Sequence, residues 1–151
     1  MKIMFDTNII LDHLLARSSF ASQAEALFSA VELGQLQGVI SATTITTIFY
    51  LTSKVLGQAA ARKTVGQLLQ LFEVASVNRS VLDQALNNGF SDFEDAVLYQ
   101  SGIQAGINGI VTRDIKGYKK STLPIYTPAE LLKSFVQSPH QPPSLIMKGM
   151  T

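Results

Sequence analysis

Oxygen-bearing side chains that could do chemistry fall in three short stretches: Asp6-Thr7-Asn8, Ser91-Asp92-Phe93-Glu94-Asp95 and Thr112-Arg113-Asp114. Each lies where an apolar segment gives way to a helix or a loop. Five of the eleven acids of this 151-residue chain (Asp6, Asp92, Glu94, Asp95, Asp114) belong to them. The chain has no cysteine and two histidines, which excludes thiolate sites and leaves an all-oxygen donor set. Such donors suit a hard divalent cation. Mg²⁺ takes oxygen ligands at about 2.1 Å and keeps several waters, and Mn²⁺ accepts the same donors. Like charges roughly 5 Å apart repel by about 3 kcal/mol per pair at an effective dielectric of ~20, so a cluster of them calls for a cation.

Each acid taken singly also has a plain structural role. Asp6 could cap the next helix, Asp92 and Glu94 could relieve a helix dipole by about 0.3–1 kcal/mol each, and Asp114 could form a turn. The functional reading gains from their coming together. The Ser91–Glu94 spacing predicts a capping box, which turns Glu94 back toward the Ser91 amide and out of the site. Asp12 is expected on a solvated helix face, and His13 at a helix surface or core edge. The run Thr43, Thr44, Thr46, Thr47 is unusual inside a helix, because branched side chains lose freedom there, and one or two of these residues are expected to face the site.

The elements that must position these residues follow from apolar spacing. Residues 2–5, 38–40, 73–77, 110–111 and 124–126 read as strands. Helices are predicted over 8–15, 22–33, 41–56, 58–72, 80–87, 91–105 and 128–136, and 112–121 as a polar loop. Strands alternating with helices mean an α/β layer fold with a mostly parallel sheet of four to five strands. Ligands of such sheets bind beyond the carboxyl ends of strands. Asp6 follows the first strand and Asp114 the fourth, and Asp92 and Asp95 share one helix face. If the first and fourth strands are neighbours, the four acids converge.

At 151 residues, 46% hydrophobic and 15% charged, the chain is expected to form one packed domain over 1–136. A tail with three prolines follows over 137–151, and it is expected to lie against a neighbouring copy in a dimer or crystal contact. No apolar run reaches the roughly 18–20 residues that span a bilayer, and no export leader is read at the start, so a cytoplasmic, non-membrane protein is expected. The net charge of +1 predicts no nucleic-acid binding by itself. Its distribution does more: Arg113, Lys116, Lys119 and Lys120 surround the last acid and would form a basic rim on an acidic hole.

Five pieces in this order and spacing carry a family likeness. They are Phe5-Asp6-Thr7-Asn8-Ile9-Ile10-Leu11, the Ile40-Ser41 step into a helix, Asp92-Phe93-Glu94-Asp95-Ala96, Val111-Thr112-Arg113-Asp114, and Thr127-Pro128-Ala129-Glu130. Through them the chain resembles the PIN domain family over roughly 1–136, and in particular the small bacterial VapC-like proteins of toxin type. The resemblance implies a three-layer, Rossmann-like α/β/α sandwich whose acids bind Mg²⁺ or Mn²⁺ and cut single-stranded RNA. It also implies an antitoxin partner and a second copy of the chain. One position departs from the pattern: members usually carry Glu or Asp in the helix after the second strand, where this chain has Thr47.

On this reading Asp6, Asp95 and Asp114 hold one or two cations, with Asp92 nearby. Thr7, Asn8, Thr47 and Thr112 support them. Arg113, Lys116, Lys119 and Lys120 grip phosphates, and Tyr118 stacks on an unpaired base. Two rivals follow from the same residues. Thr47 points to a non-catalytic PIN module that binds RNA or a protein. A lone strand-end Asp also invites a phosphoryl-transfer or phospho-receiver reading. A haloacid-dehalogenase-type site, however, wants a second Asp where Asn8 stands, and a receiver wants paired acids before its phosphorylated Asp.

Overall fold

Successive residues of each apolar run face opposite sides of the sheet, and this alternation sorts the helices into two layers. The computed structural model describes residues 1–136; the tail 137–151, with the contact expected of it, lies outside the described residues. Five parallel strands, β1 (Lys2–Phe5), β2 (Gln37–Ser41), β3 (Glu73–Ala75), β4 (Gly109–Val111) and β5 (Ile125–Tyr126), lie in the order β3-β2-β1-β4-β5. Ile3, Phe5, Ile40 and Val111 point to one face, while Met4, Val39 and Ile110 point to the other.

The first face is covered by α1 (Thr7–Leu14), α2 (Ser18–Glu32), α3 (Ala42–Leu56), α4 (Gln58–Leu71) and α7 (Pro128–Val136). Phe5, Phe28 and Phe72 meet edge to face in the middle of this layer. The second face is covered by α6 (Phe93–Ala105), whose Leu98 and Tyr99 pack on the sheet, and α5 (Arg79–Asn87) packs on α6 through Val81 and Ala85. The result is the three-layer α/β/α sandwich expected from the sequence. Strand and helix ends agree with expectation within a few residues. The largest difference is α2, which begins at Ser18; α6 begins at Phe93 and β3 ends at Ala75, each two residues from expectation.

The order of the strands decides where a ligand can sit. From β1 the chain winds through β2 to β3 on one side, then returns to lay β4 and β5 on the other. β1 is therefore flanked by both β2 and β4, with Phe5 opposite Val111. At this switch point the loops after β1 and β4 diverge and leave a crevice at the carboxyl edge of the sheet. No helix among the described residues is long and apolar enough to cross a membrane.

Candidate metal centre at the sheet switch point

Asp6 is the first residue beyond β1. Its amide donates to the Val111 carbonyl at 3.0 Å, so the ladder between β1 and β4 continues to this residue. Its side chain is 7% exposed and fully engaged on one side. Oδ1 accepts from the Thr7 amide at 2.7 Å, which caps α1, and Oδ2 accepts from the Thr112 hydroxyl at 2.7 Å and from Asn8 Nδ2 at 3.3 Å. Thr112, buried at the end of β4, also accepts from the Asp114 amide at 3.0 Å. One hydroxyl thus links the two acids that follow neighbouring strands.

Asp95 comes from the first turn of α6, where Asp92 caps the helix by accepting the Asp95 amide at 3.0 Å. The expected Ser91–Glu94 box is not the cap. Asp92 and Asp95 have the same three-residue spacing, and the Asp92 side chain takes the amide. Glu94 is exposed and joins the site instead of leaving it.

All four acids named from the sequence, Asp6, Asp92, Asp95 and Asp114, line one cavity of about 360 Å³. Thr7, Asn8 and Thr47 line it too, together with Glu94, Thr43 and Thr44. A cavity of similar size, about 390 Å³, lies between α1, α2 and α4. It holds a single acid, Glu32, beside His13, which stacks on Phe28 at 4.1 Å as a core-edge histidine does. The acids, not the cavity volumes, single out the first.

Gly117 marks how closely the carboxylates approach. A Cβ at this position would stand 2.9 Å from Asp95 Oδ2 and 3.0 Å from Asp114 Oδ2, so a side chain there would fill the gap between them. The crowding shows in the protonation of the acids. Burial, then the charges of Asp6 and Asp92, push the Asp95 carboxyl up to about 7. Asp6 is also raised, by burial first and by Asp114 in addition, although the hydrogen bonds from Thr112 and Thr7 oppose the rise.

Among the described residues, no three such side chains form a ready coordination shell. Repelling acids are expected to stand apart when nothing neutralises them. Mg²⁺ needs only one or two carboxylates, its remaining positions being filled by water or substrate oxygen. Two observations fit that mode. The gap at Gly117 is bounded by carboxylate oxygens, and Asn8 Oδ1, on the cavity wall, is buried without a hydrogen-bond partner. A neutral oxygen left without a donor can face a cation or the water it holds.

Two of the residues expected to contact RNA are placed otherwise. Arg113 donates to Asp12 from Nε at 2.7 Å and from Nη2 at 3.2 Å, and its guanidinium lies over the Phe20 ring at 4.0 Å. Asp12, expected in solvent, is 1% exposed and forms the other half of this pair. Tyr118, expected to stack on a base from an exposed loop, is 1% exposed. It belongs to a short 3₁₀ turn (Ile115–Tyr118), and its hydroxyl donates to Asp95 Oδ1 at 3.4 Å. Burial and the neighbouring acids hold its phenol well above the ordinary tyrosine range, so it remains a donor. Lys116, Lys119 and Lys120 are exposed and make no ion pair with another described residue.

Comparison with known proteins agrees with this architecture. VapBC2 of Rickettsia felis, solved bound to a DNA fragment from its promoter, matches with a TM-score of 0.65 at 14% identity, covering 84% of this chain and 98% of that one. VapC20 of Mycobacterium tuberculosis, described as a sarcin-ricin-loop-cleaving toxin, matches with a TM-score of 0.58 at 17% identity, covering 72% and 86%. A toxin–antitoxin complex from Klebsiella pneumoniae matches with a TM-score of 0.61 at 21% identity, covering 83% and 97%. At these identities the likeness is one of fold. No curated protein sequence matches the chain. A model of the PIN domain matches residues 2–116. That span begins in β1 and ends beyond Asp114, so it contains every acid of the cavity, and the chain belongs to the PIN domain family.

Proposed function

We infer that the protein is a divalent-metal-dependent endoribonuclease acting on single-stranded RNA, the toxin member of a toxin–antitoxin pair. The observation that supports this reading is that Asp6, Asp92, Asp95 and Asp114 line one cavity at the sheet switch point, with Asp95 and Asp114 on either side of Gly117. A carboxyl that burial and neighbouring acids push up to about 7, as Asp95 is, beside an oxygen without a donor, makes a poor structural core and a good cation site.

Asp6, Asp95 and Asp114 would hold the ion, with Asp92 and Asn8 reaching it directly or through water. Mg²⁺ or Mn²⁺, when bound, supplies Lewis acidity toward water and toward a phosphate oxygen. The residues of the chain do the rest. Thr112 and the Thr7 amide fix the direction of Asp6, and Tyr118 that of Asp95. Exposed Lys116, Lys119 and Lys120, in and just after the turn beside Asp114, would grip phosphates on either side of the cut, so RNA binding should weaken as salt rises. Among the matching folds are a protein described as a toxin and a toxin–antitoxin complex. On that likeness we assign this chain an antitoxin partner, a second copy of itself, and a place in the cytoplasm.

The test is cleavage of a single-stranded RNA oligonucleotide with Mg²⁺ or Mn²⁺, by wild type and by Asp6→Asn. Cutting that needs the metal and falls about a hundredfold or more in Asp6→Asn is the expected result. Thr47 favours a second reading, because a neutral hydroxyl lines the cavity where family members usually carry an acid. Tight RNA binding without cutting under either metal would make the protein a binding module and set the nuclease reading aside.

A further inference from the structure

Asp12 lies six residues past Asp6 on α1, and its carboxylate is almost completely removed from water, with 1% of the side chain exposed. Burying a carboxylate is costly unless it is paired. Arg113 pairs it with a two-pronged fork at 2.7 and 3.2 Å, and Arg17 Nη1 stands 3.7 Å from Oδ1. The Phe20 ring lies against the Arg113 guanidinium at 4.0 Å. Arg113 is therefore held by an acid and by an aromatic ring.

What the fork holds in place is the backbone between Thr112 and Asp114. The Thr112 hydroxyl donates a hydrogen bond to Asp6 and accepts one from the Asp114 amide, so any shift of this turn moves Asp114 relative to Asp6. The far end of the fork is on α1, the helix that Asp6 caps. The same helix and the same turn are thus joined twice, at Asp6–Thr112 and at Asp12–Arg113. We propose that Asp12 and Arg113 are positioning residues, a clamp that sets the separation of Asp6 and Asp114 and so the geometry of the ion site. The proposal rests on the metal-dependent reading above.

Two other roles make different demands. An arginine that serves RNA phosphate turns its fork toward solvent, whereas here the Nε–Nη2 edge is spent on Asp12 and the face of the guanidinium lies on Phe20. A pair kept for stability alone would be a weak choice, since a buried ion pair contributes little beyond a well-packed apolar pair. The planar fork supplies direction, and direction is what a turn carrying a metal-binding acid requires.

The experiment compares wild type with Asp12→Asn and Arg113→Lys, each checked for folding by circular dichroism. Mn²⁺ affinity is measured by calorimetry on the protein without RNA, and kcat and KM on a single-stranded RNA oligonucleotide. A clamp predicts that both variants lose about 10-fold to 100-fold in Mn²⁺ affinity and in kcat, with KM for RNA unchanged. The double variant should be little worse than the poorer single one. A phosphate contact predicts instead that Arg113→Lys stays near wild type and that Asp12→Asn is harmless; that result overturns the proposal. So does a fall in melting temperature with Mn²⁺ affinity and kcat per folded molecule unchanged. Arg113→Lys keeps a positive charge beside Asp12 and carries the test should Asp12→Asn fail to fold. If wild type neither binds Mn²⁺ nor cuts, the nuclease reading fails and takes the clamp with it. If wild type does both and the variants match it, the clamp alone fails.

Discussion

Thr112 and Thr47 show how much one side chain can decide in this site. The Thr112 hydroxyl ties Asp6 to the Asp114 amide, while Thr47 stands on the cavity wall as a neutral group. Thr47→Glu should therefore raise Mn²⁺ affinity about tenfold or more, which is 1.4 kcal/mol per decade. Calorimetric titration reads it, and unchanged affinity would show that position 47 does not face the ion. The acids themselves were legible in the sequence, because a carboxylate just past an apolar run has few places to go except the edge of a sheet. Asp12, Arg113 and Tyr118 were not. Asp12 and Arg113 are 101 residues apart, and no local pattern marks two charged residues as each other's partners. Tyr118 lies among lysines in the sequence, and its burial depends on the fold of the turn.

At the level of elements, close approach between strand and helix sets the tolerances. A Cβ on Gly38 of β2 would stand 2.5 and 2.6 Å from carbons of the Phe72 ring. That ring is wedged against Phe5 and Phe28 and cannot withdraw. Gly38→Ala should cost about 1–3 kcal/mol in urea unfolding. The same change at Gly66, inside α4 with nothing within 4 Å, should stabilise by about 0.5–1 kcal/mol. Equal effects at both sites would refute the packing argument. Helix ends were read from the sequence less well than helix interiors. At the start of α6 two overlapping pairs, Ser91–Glu94 and Asp92–Asp95, have the spacing of a cap, and only the fold decides between them.

For the molecule as a whole, alternating strands and helices announced the sandwich, but the sequence left open that β1 and β4 are neighbours, which is what makes the acids meet. Their meeting reaches global stability through protons. Asp95 titrates near 7 in the folded metal-free protein, against an ordinary value of 3.8. Between those values the native state holds a proton that the unfolded chain has released, so the contribution of Asp95 to stability is complete below about pH 4 and is lost as pH rises to about 7. His13, lowered by burial, works the opposite way, favouring the fold as pH rises toward its ordinary 6.5. The difference in melting temperature between wild type and Asp95→Asn isolates the carboxyl. Wild type should lose ground to the variant as pH climbs from 4 to 7, and saturating Mg²⁺ should reverse the trend, since the ion binds the native state and displaces the proton. A difference that does not vary with pH would contradict the crowding inferred at Gly117. The strand order has one more consequence, for biosynthesis. β1 is made first, yet one of its edges stays bare until residues 109–111 have left the ribosome, and Asp114 emerges later still. A chain still under construction thus carries no complete set of these acids, and on the proposed reading it stays harmless for most of its translation time.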